Sequence, residues 1–385
     1  MSSTTTSSPT VLSDALQQAV ARRVKQLRGT FDGLGIDAML VSGEQDIRYL
    51  TGFCGHDTEL LILPDRALII TDNRYDTSLE PWRSFALFEV VMGVRHRLVD
   101  SVRALAGDAK ARRLGVQADR LTVVRHRGLT TALADFTLVD TADVVATLRM
   151  KKDDLEIRMI ERAIQVHHDA LTATVQDITL GMTEAALYAR LDYEMKKRGA
   201  TAPSFNGIVG AGPNSAIPHH ETGDTPITEG ILLIDTGAIV DGYCSDITRT
   251  FGVVSLSDQL RGIYEIVLEA QLAAIAFAKP GVTCAATDKA ARDVIERAGY
   301  GEYFGHGLGH GMGIDVHEPP YFNSLETDTV LEPGMIMTFE PGIYIPGVGG
   351  VRIEDDVVIT EGGNRVLSSW PKQLDDVMLD PSARR

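Results

Sequence analysis

The chain has 385 residues, of which 44% are hydrophobic, and its formal net charge at pH 7 is −16. This length predicts two domains, because a single domain of this size is unusual. The acidic balance argues against a nucleic-acid or anionic-membrane surface, either of which would need a basic patch. No stretch approaches the roughly 20 apolar residues of a membrane span, so a membrane protein is not expected.

The cysteines and the first residues indicate a cytoplasmic protein. Cys54, Cys244 and Cys284 are scattered and form no CxxC pair, which is typical of reduced thiols. The opening MSSTTTSSPT is polar and lacks the basic start and apolar core of a signal peptide. Residues 1–11 are therefore predicted to form a disordered tail.

Residues 12–147 alternate between helical and strand-like patterns, which predicts a small α/β domain. The predicted helices cover 12–33, 98–106 and 123–134. The predicted strands cover 36–42, 60–72 (two strands around a Pro-Asp turn), 85–91, 113–118 and 136–145. The segment DIRYLTGF, residues 46–53, has two interpretations: a structural turn, or a loop that reaches over the site of the partner domain.

Residues 148–385 are predicted to form the second domain, which begins with a long amphipathic helix. That helix carries His167 and His168. Adjacent helical residues point about 100° apart, so these two side chains cannot bind one ion from the same helix face. They are interpreted as surface or packing histidines.

An internal duplication is visible in this second domain. LGMTEAALYARLDYEMKKRGA (180–200) and PGVTCAATDKAARDVIERAGY (280–300) are similar at an offset of 100 residues. Each opens with Gly-x-Thr, where Thr is a favourable helix N-cap, and each closes near a basic residue and a glycine. The duplication predicts that functional residues of the first half have counterparts about 100 residues later.

The stretch ILLIDTGAIVDGYCSDITRT, residues 231–250, predicts a β-hairpin whose turn is Asp241-Gly242. With this turn Asp246 lies opposite Gly237. Asp235 then lies on the same face as Asp246, with backbones roughly 7–8 Å apart. Two buried anions need compensation. Either a divalent metal binds both, or one aspartate caps a loop while the other pairs with Arg249; the hairpin alone does not distinguish these.

The duplication favours the metal. Glu340, at the end of MIMTF, lies 105 residues after Asp235, and Glu354 lies 108 residues after Asp246. In HGLGHGMG, His310 is flanked by glycines, which allow close approach of backbone and imidazole to another group. Four carboxylates and a histidine suit two divalent ions, and the absence of thiolate favours Mn²⁺, Fe²⁺, Co²⁺ or Zn²⁺ in a catalytic site. Two such ions hold a hydroxide that can attack a carbonyl.

These motifs resemble the Xaa-Pro peptidases of the pita-bread metallopeptidase family, prolidase and aminopeptidase P. The resemblance is carried by NSAIPHH, LIDTGA, SDITRTF, HGLGHGMGIDVHE, TFEPGIYIPGVGGVRIED and, near the N-terminus, DIRYLTGF. It implies an α+β fold, in which a duplicated, pseudo-twofold pita-bread domain follows a smaller α/β domain. It also implies two divalent ions per chain, with Mn²⁺ expected ahead of Co²⁺, Zn²⁺ or Fe²⁺, and a homodimer.

The resemblance assigns a role to each candidate residue, and implies hydrolysis of the bond before proline in a Xaa-Pro dipeptide or short peptide. The implied metal ligands are Asp235 on one ion, Asp246 and Glu354 bridging both, and His310 and Glu340 on the other. Glu340 is also implied to accept the proton of the bridging water. The implied substrate-side residues are His219, His317 at the scissile peptide, Arg352 beside the proline and His306 in the proline pocket. His220 has no clear counterpart.

Other functions of the same fold are weighed against this prediction. Creatinase-like amidohydrolases act on non-peptide substrates, and metal-free binding proteins of this fold lack the ligands, whereas all five are present here. Methionine aminopeptidase shares the five ligands, but residues 12–145 and the GGVRIED pattern favour the proline class. The sequence does not choose between dipeptidase and aminopeptidase P, although the short N-terminal domain leans toward prolidase.

Overall fold

A computed structural model of the chain describes residues 12–95 and 97–381. They form two compact units, the first ending at Arg149 and the second beginning at Met150. The division falls two residues beyond the predicted boundary between residues 147 and 148. The predicted tail, residues 1–11, lies outside the described residues. Within the described ranges, no helix is both long enough and apolar enough to cross a bilayer. The three cysteines are free thiols, as predicted.

The first unit is built on one mixed sheet. Its six strands are β1 (Ala38–Val41), β2 (Glu59–Ile62), β3 (Ala67–Thr71), β4 (Glu89–Met92), β5 (Arg113–Gln117) and β6 (Thr137–Thr141). They lie in the order β4-β3-β2-β1-β5-β6, with β1, β2 and β3 antiparallel and the outer pairs parallel. Among the described residues of this unit, the sheet is accompanied by seven α-helices: α1 (Asp14–Arg28), α2 (Phe31–Leu34), α3 (Glu44–Thr51), α4 (Glu80–Arg83), α5 (Leu98–Asp108), α6 (Val123–Ala132) and α7 (Val144–Arg149).

Four predictions for this unit were wrong. The predicted strand 85–91 begins only at Glu89, and the predicted helix 12–33 is divided into α1 and α2. Residues 46–51 form most of helix α3, where a turn or a loop was predicted. The helix buries Ile47 and Leu50 on one face, and Gly52 ends it in the left-handed conformation. The predicted strand 136–145 ends at Thr141, because Asp143 has a positive φ of 57° and helix α7 follows.

The second unit contains four helices and fourteen strands among its described residues. The helices are α8 (Asp154–Val175), α9 (Glu184–Lys197), α10 (Asp258–Phe277) and α11 (Cys284–Arg297). The strands of the first half are β7 (Ala202–Pro203), β8 (Ile208–Ala211), β9 (Gly230–Thr236), β10 (Ala238–Val240), β11 (Tyr243–Cys244) and β12 (Ile247–Val253). Those of the second half are β13 (Gly309–Gly311), β14 (Glu318–Phe322), β15 (Ile336–Phe339), β16 (Gly342–Ile345), β17 (Gly349–Arg352), β18 (Asp355–Thr360), β19 (Gly363–Val366) and β20 (Met378–Leu379).

This unit has two main sheets, and its helices pack with both around one hydrophobic core. Strand β20 of the second half pairs with β12 and completes the first sheet. The first sheet has the order β20-β12-β9-β8 and the second the order β14-β13-β15-β18-β19. The duplication is visible in the helices, since α9 and α11 begin and end 100 residues apart. Thr183 and Thr283 are the N-caps predicted for these helices, each accepting a hydrogen bond of 3.1 Å from a backbone N–H three residues on.

Helix α8 places His167 and His168 in the interior, which confirms packing and corrects the surface alternative. His167 Nε2 lies 2.8 Å from the hydroxyl of Thr236. Burial lowers the pKa of His167 to about 3 and that of His168 to about 4, so both rings are neutral at pH 7. These histidines pack α8 against the sheet that contains strand β9, where Thr236 is the last residue.

Candidate active site

The first hairpin has the predicted register. Strands β9 and β12 pair with Asp235 opposite Thr248, and the turn at Asp241-Gly242 has two positive φ angles, 52° and 84°. Gly237 lies where the pairing is interrupted. A Cβ there would lie 2.0 Å from the hydroxyl of Ser204, so the close approach requires glycine.

The alternative pairing of an aspartate of this hairpin with Arg249 is wrong. Arg249 is fully buried and donates from Nη2 to Asp355 Oδ1 at 2.7 Å and to the carbonyl of Trp370, and from Nε to the carbonyl of Pro371. Asp235 and Asp246 therefore receive no compensation from this guanidinium. Asp235 instead forms an ion pair with Arg352, whose Nη2 donates to Asp235 Oδ2 at 2.6 Å.

The second hairpin brings two glutamates opposite each other. Phe339 pairs with Asp355 in β15–β18, and Gly342 pairs with Arg352 in β16–β17. Both pairings have the same register, which places Glu340 opposite Glu354. Glu354 also joins the two hairpins, because its N–H donates to the carbonyl of Thr248 at 3.2 Å and its Oε2 accepts from the Thr248 hydroxyl at 2.6 Å.

His310 enters the site from strand β13. Its Nδ1 lies 3.1 Å from the carbonyl of Gly311, which leaves Nε2 with a free lone pair facing the acids. Nε2 is 3.6 Å from Asp246 Oδ2 and 3.4 Å from Glu340 Oε1. The neighbouring Gly309 allows strand β13 to pack closely against β15, because a Cβ at this position would lie 2.1 Å from the carbonyl of Thr338. Gly309 thus lets two strands approach closely, and the group approached is the backbone of Thr338.

The ligand atoms of the five predicted metal residues fall into two overlapping groups. Within each group they lie within 4.8 Å of one another; the groups are His310, Glu340 and Glu354, and Asp235, Asp246 and Glu354. Glu354 belongs to both groups. A third group of the same kind contains Asp246, His310 and His317. Asp235, Asp246, His310 and Glu354 are buried, with 1–8% of their surface exposed.

The buried carboxylates in these three groups favour the binding of cations. Burial and the neighbouring carboxylates raise the pKa values of Asp246 and Glu354 well above the ordinary range, and burial raises that of Glu340 to about 8. Asp235 Oδ1 is buried and accepts no hydrogen bond from the described residues. Oxygen and imidazole donors with an unpaired buried carboxylate oxygen fit divalent ions, which would offset this repulsion.

A chain of hydrogen bonds extends from Asp235 to the far side of the site. Arg352 donates from Nη1 to the hydroxyl of Tyr344 at 2.8 Å, and His306 Nε2 lies 2.9 Å from the same hydroxyl. Burial, assisted by the charge of Arg352, lowers the pKa of His306 to about 4, so the ring is neutral. Sequence reasoning missed Tyr344, and its place inside TFEPGIYIPG offered no separate signal. Thr248, which accepts from Arg352 Nε at 3.0 Å, was missed in the same way.

A cavity of about 800 Å³ brings all the predicted site residues together. The predicted residues on its wall are Asp235, Asp246, His310, Glu340, Glu354, His219, His306, His317 and Arg352. The ring of His317 lies 4.2 Å from that of His310, and His219 is exposed on the wall. Phe205, Ile217 and Tyr321 add apolar surface that sequence reasoning did not identify. Among the described residues that line the cavity, Arg352 is the one arginine or lysine.

The chain belongs to metallopeptidase family M24. Residues 158–361 match this family, and residues 23–151 match the Creatinase/Prolidase N-terminal domain. The family, the fold and the site together make the chain a metallopeptidase, as predicted.

Three relatives are similar to the chain over nearly its whole length. The structure of a Xaa-Pro dipeptidase from Bacillus anthracis is 40% identical, with a TM-score of 0.88, covering 94% of this chain and 100% of that one. An X-Pro aminopeptidase from Thermotoga maritima is 36% identical, with a TM-score of 0.83, covering 91% and 99%. A Xaa-Pro dipeptidase of Pyrococcus horikoshii is 35% identical over 356 residues, 91% of this chain and 98% of that protein. The resemblance to Xaa-Pro peptidases and the α+β pita-bread class are confirmed.

Proposed function

We propose that the chain hydrolyses the peptide bond before proline and binds two divalent ions for this purpose. The observation that carries the proposal is the pair of three-residue donor groups that share Glu354. On this proposal Asp235 would hold one ion, Asp246 and Glu354 would each contribute to holding both, and His310 and Glu340 would hold the other. When bound, two such ions polarise the substrate carbonyl and supply a hydroxide at neutral pH.

The protein side chains would hold the substrate and move the protons. Glu340, whose Oε1 accepts a hydrogen bond from Thr338 at 3.2 Å, is proposed to take the proton of the attacking water. The oxygen of that water joins the carbonyl carbon, the C–N bond breaks, and a proton passes to the prolyl nitrogen, which leaves as a secondary amine. His317 is proposed to donate to the carbonyl oxygen as charge develops there.

The other end of the cavity suits the proline ring and the carboxylate or residue beyond it. Prolyl amides have no N–H, so recognition must depend on the ring and on the groups at the two ends of the substrate. His306 and Arg352 are proposed to line the proline end, with His219 on the substrate side. A dipeptide leaves a free carboxylate at this end, for which the guanidinium of Arg352 is the available cation.

The test compares hydrolysis of Ala-Pro and Ala-Pro-Ala by protein loaded with Mn²⁺. Cleavage of the dipeptide alone assigns a dipeptidase, and release of alanine from the tripeptide assigns an aminopeptidase. Protein that binds ions but cleaves neither peptide would contradict the proposal and favour an amidohydrolase. Asp246→Asn and Glu354→Gln are expected to lower the number of ions bound per chain and to abolish turnover.

Three finer points belong to the same proposal. Elemental analysis is expected to find up to two ions per chain, and loading with Mn²⁺, Co²⁺, Zn²⁺ or Fe²⁺ in parallel will rank the working ion, with Mn²⁺ expected first. Light scattering is expected to give the mass of a homodimer. Chelator-treated protein that takes up no divalent ion on reloading would exclude a metallopeptidase and leave a binding module.

A further inference from the structure

Glu184, the first residue of helix α9, is a fully buried glutamate that no predicted role covers. Four hydrogen-bond donors converge on its carboxylate. Oε1 accepts from the N–H of Ala211 at 2.8 Å and from Asn214 Nδ2 at 2.9 Å. Oε2 accepts from His220 Nε2 at 2.8 Å and from the N–H of Gly223 at 3.2 Å. The hydrogen-bonding capacity of one carboxylate is thus filled by a single segment of chain.

That segment, residues 211–223, is here called the His219 loop. It carries Ile217, Pro218 and His219 to the wall of the 800 Å³ cavity, whereas His220 does not line that cavity. The donors to Glu184 come from both ends of the loop and from the residue next to His219. Fixing these points limits where the imidazole of His219 can lie, and His220 contributes one of them through its contact with Glu184.

The charge state of Glu184 suits this task. Burial alone would raise its pKa, but the four hydrogen bonds reverse that effect and lower the pKa below its ordinary value. The glutamate also lies at the N-terminus of a 14-residue helix, where a negative charge is favoured. A charged acceptor binds four donors more strongly than a neutral one would.

The second half of the duplicated unit has a related arrangement, built on a residue one turn further along its helix. Asp288 is buried on helix α11, and its Oδ1 accepts from the N–H of Leu308 at 2.9 Å. Its partner Arg292, bound through Nε at 3.0 Å, donates to the carbonyls of Phe304 and His306. Residues 304–308, here called the His306 loop, are therefore also held by a buried carboxylate of the preceding helix.

We propose that Glu184 is a positioning residue for His219, and that Asp288 is its counterpart for His306. Each carboxylate holds one histidine-bearing loop of the cavity without touching the cavity itself. The inference builds on the proposed function, since it assumes that both loops meet substrate. Whether one carboxylate orders each loop can be tested without any assay of the reaction.

The test uses two near-isosteric variants as controls for each other. In Glu184→Gln the amide offers one acceptor oxygen to four donors, so the His219 loop loses part of its support. Hydrogen–deuterium exchange read by mass spectrometry should then rise at least about tenfold in residues 211–223 and stay unchanged in residues 304–308. Asp288→Asn should give the reverse pattern. Exchange that rises equally in both loops, or in neither, would overturn the proposal.

Kinetics separate positioning from general stability. Glu184→Gln is expected to lower kcat/KM for the cleaved Xaa-Pro substrate about tenfold, mainly through KM, while the number of bound ions is unchanged. In a His219→Ala background the same substitution should have little further effect, because its influence passes through that imidazole. Glu194→Gln, which removes a buried charge from the other end of α9, should change stability and leave KM unchanged. Full additivity of Glu184→Gln and His219→Ala would contradict the proposal.

A second pair of variants covers the case in which Glu184→Gln does not fold. His220→Ala removes one donor to Glu184, whereas His220→Gln keeps a side-chain N–H at a similar reach. The alanine variant should raise exchange in residues 211–223, and the glutamine variant should restore most of the protection. Equal exchange in both would refute the role of the Glu184–His220 contact. Absence of any turnover by the wild-type chain would overturn the proposed function, while the exchange results would still test the positioning.

Discussion

Thr248 offers a sharp test of how the two hairpins support the proposed metal site. Its buried hydroxyl donates to Glu354 Oε2 at 2.6 Å and accepts from Arg352 Nε at 3.0 Å. Thr248→Val removes both bonds while nearly preserving shape. The Glu354 carboxylate then loses the group that orients it, and a buried guanidinium N–H loses its acceptor.

The expected size of the effect depends on the kind of bond. A hydrogen bond to a charged group contributes about 1.5–3 kcal/mol, and loss of a residue that orients a metal ligand costs roughly 10–100-fold in metal affinity. We therefore expect Thr248→Val to weaken Mn²⁺ binding about 10–100-fold in isothermal titration calorimetry. The kcat/KM at limiting Mn²⁺ should fall in parallel, and excess metal should restore part of it.

Thr250→Val is the matched control. Thr250 lies two residues along the same strand and is equally buried, but its hydroxyl bonds only to the backbone of Arg352, at 2.8 and 3.2 Å. It should lose comparable stability in thermal unfolding and retain wild-type metal affinity. Unchanged affinity in Thr248→Val, or an equal loss in Thr250→Val, would refute the role assigned to the hydroxyl.

Three further predictions concern charge and packing. Asp246→Asn should raise the melting temperature of chelator-treated protein, because it relieves repulsion among buried carboxylates, and it should reduce the stabilisation by Mn²⁺. A lower melting temperature of the chelator-treated variant than of the wild type would contradict this prediction. His167→Ala should cost about 2–4 kcal/mol in urea unfolding without changing the ion count. Hydrogen bonds from Arg113 and Arg112 lower the pKa of Asp37 to about 2, so the stability it adds is present above about pH 4 and lost as the pH falls toward 2. Asp37→Asn should therefore cost about 1 kcal/mol at pH 7, discounted for exposure, and progressively less below pH 4.

Local patterns in the sequence were sufficient to predict much of the proposed metal site. The Asp241-Gly242 turn and the period of two in a strand gave the correct register of the first hairpin, because both act between residues close in the chain. The helix caps Thr183 and Thr283 were readable for the same reason. Duplication then extended this local information to the second half, where it pointed to Glu340 and Glu354.

Other features depended on contacts that no local pattern encodes. Residues 46–53 were misread because a short amphipathic segment is compatible with a turn, and burial of its apolar face selected the helix. Tyr344, Thr248 and Glu184 carry no motif of their own. Each matters because of a partner elsewhere in the chain, such as Glu354, 106 residues beyond Thr248.

The sequence by itself determined the class of chemistry: which carboxylates and imidazoles are available, and in what repeated frame. The tertiary structure decided how they are held. Only the packing of the two halves shows that Arg352 pairs with Asp235 and that Arg249 pairs with Asp355. The same packing brings buried carboxylates of α9 and α11 into contact with the His219 loop and the His306 loop. The physical reason is that periodicity and turn chemistry act over a few residues, whereas the compensation of buried charge depends on which side chains share the same interior.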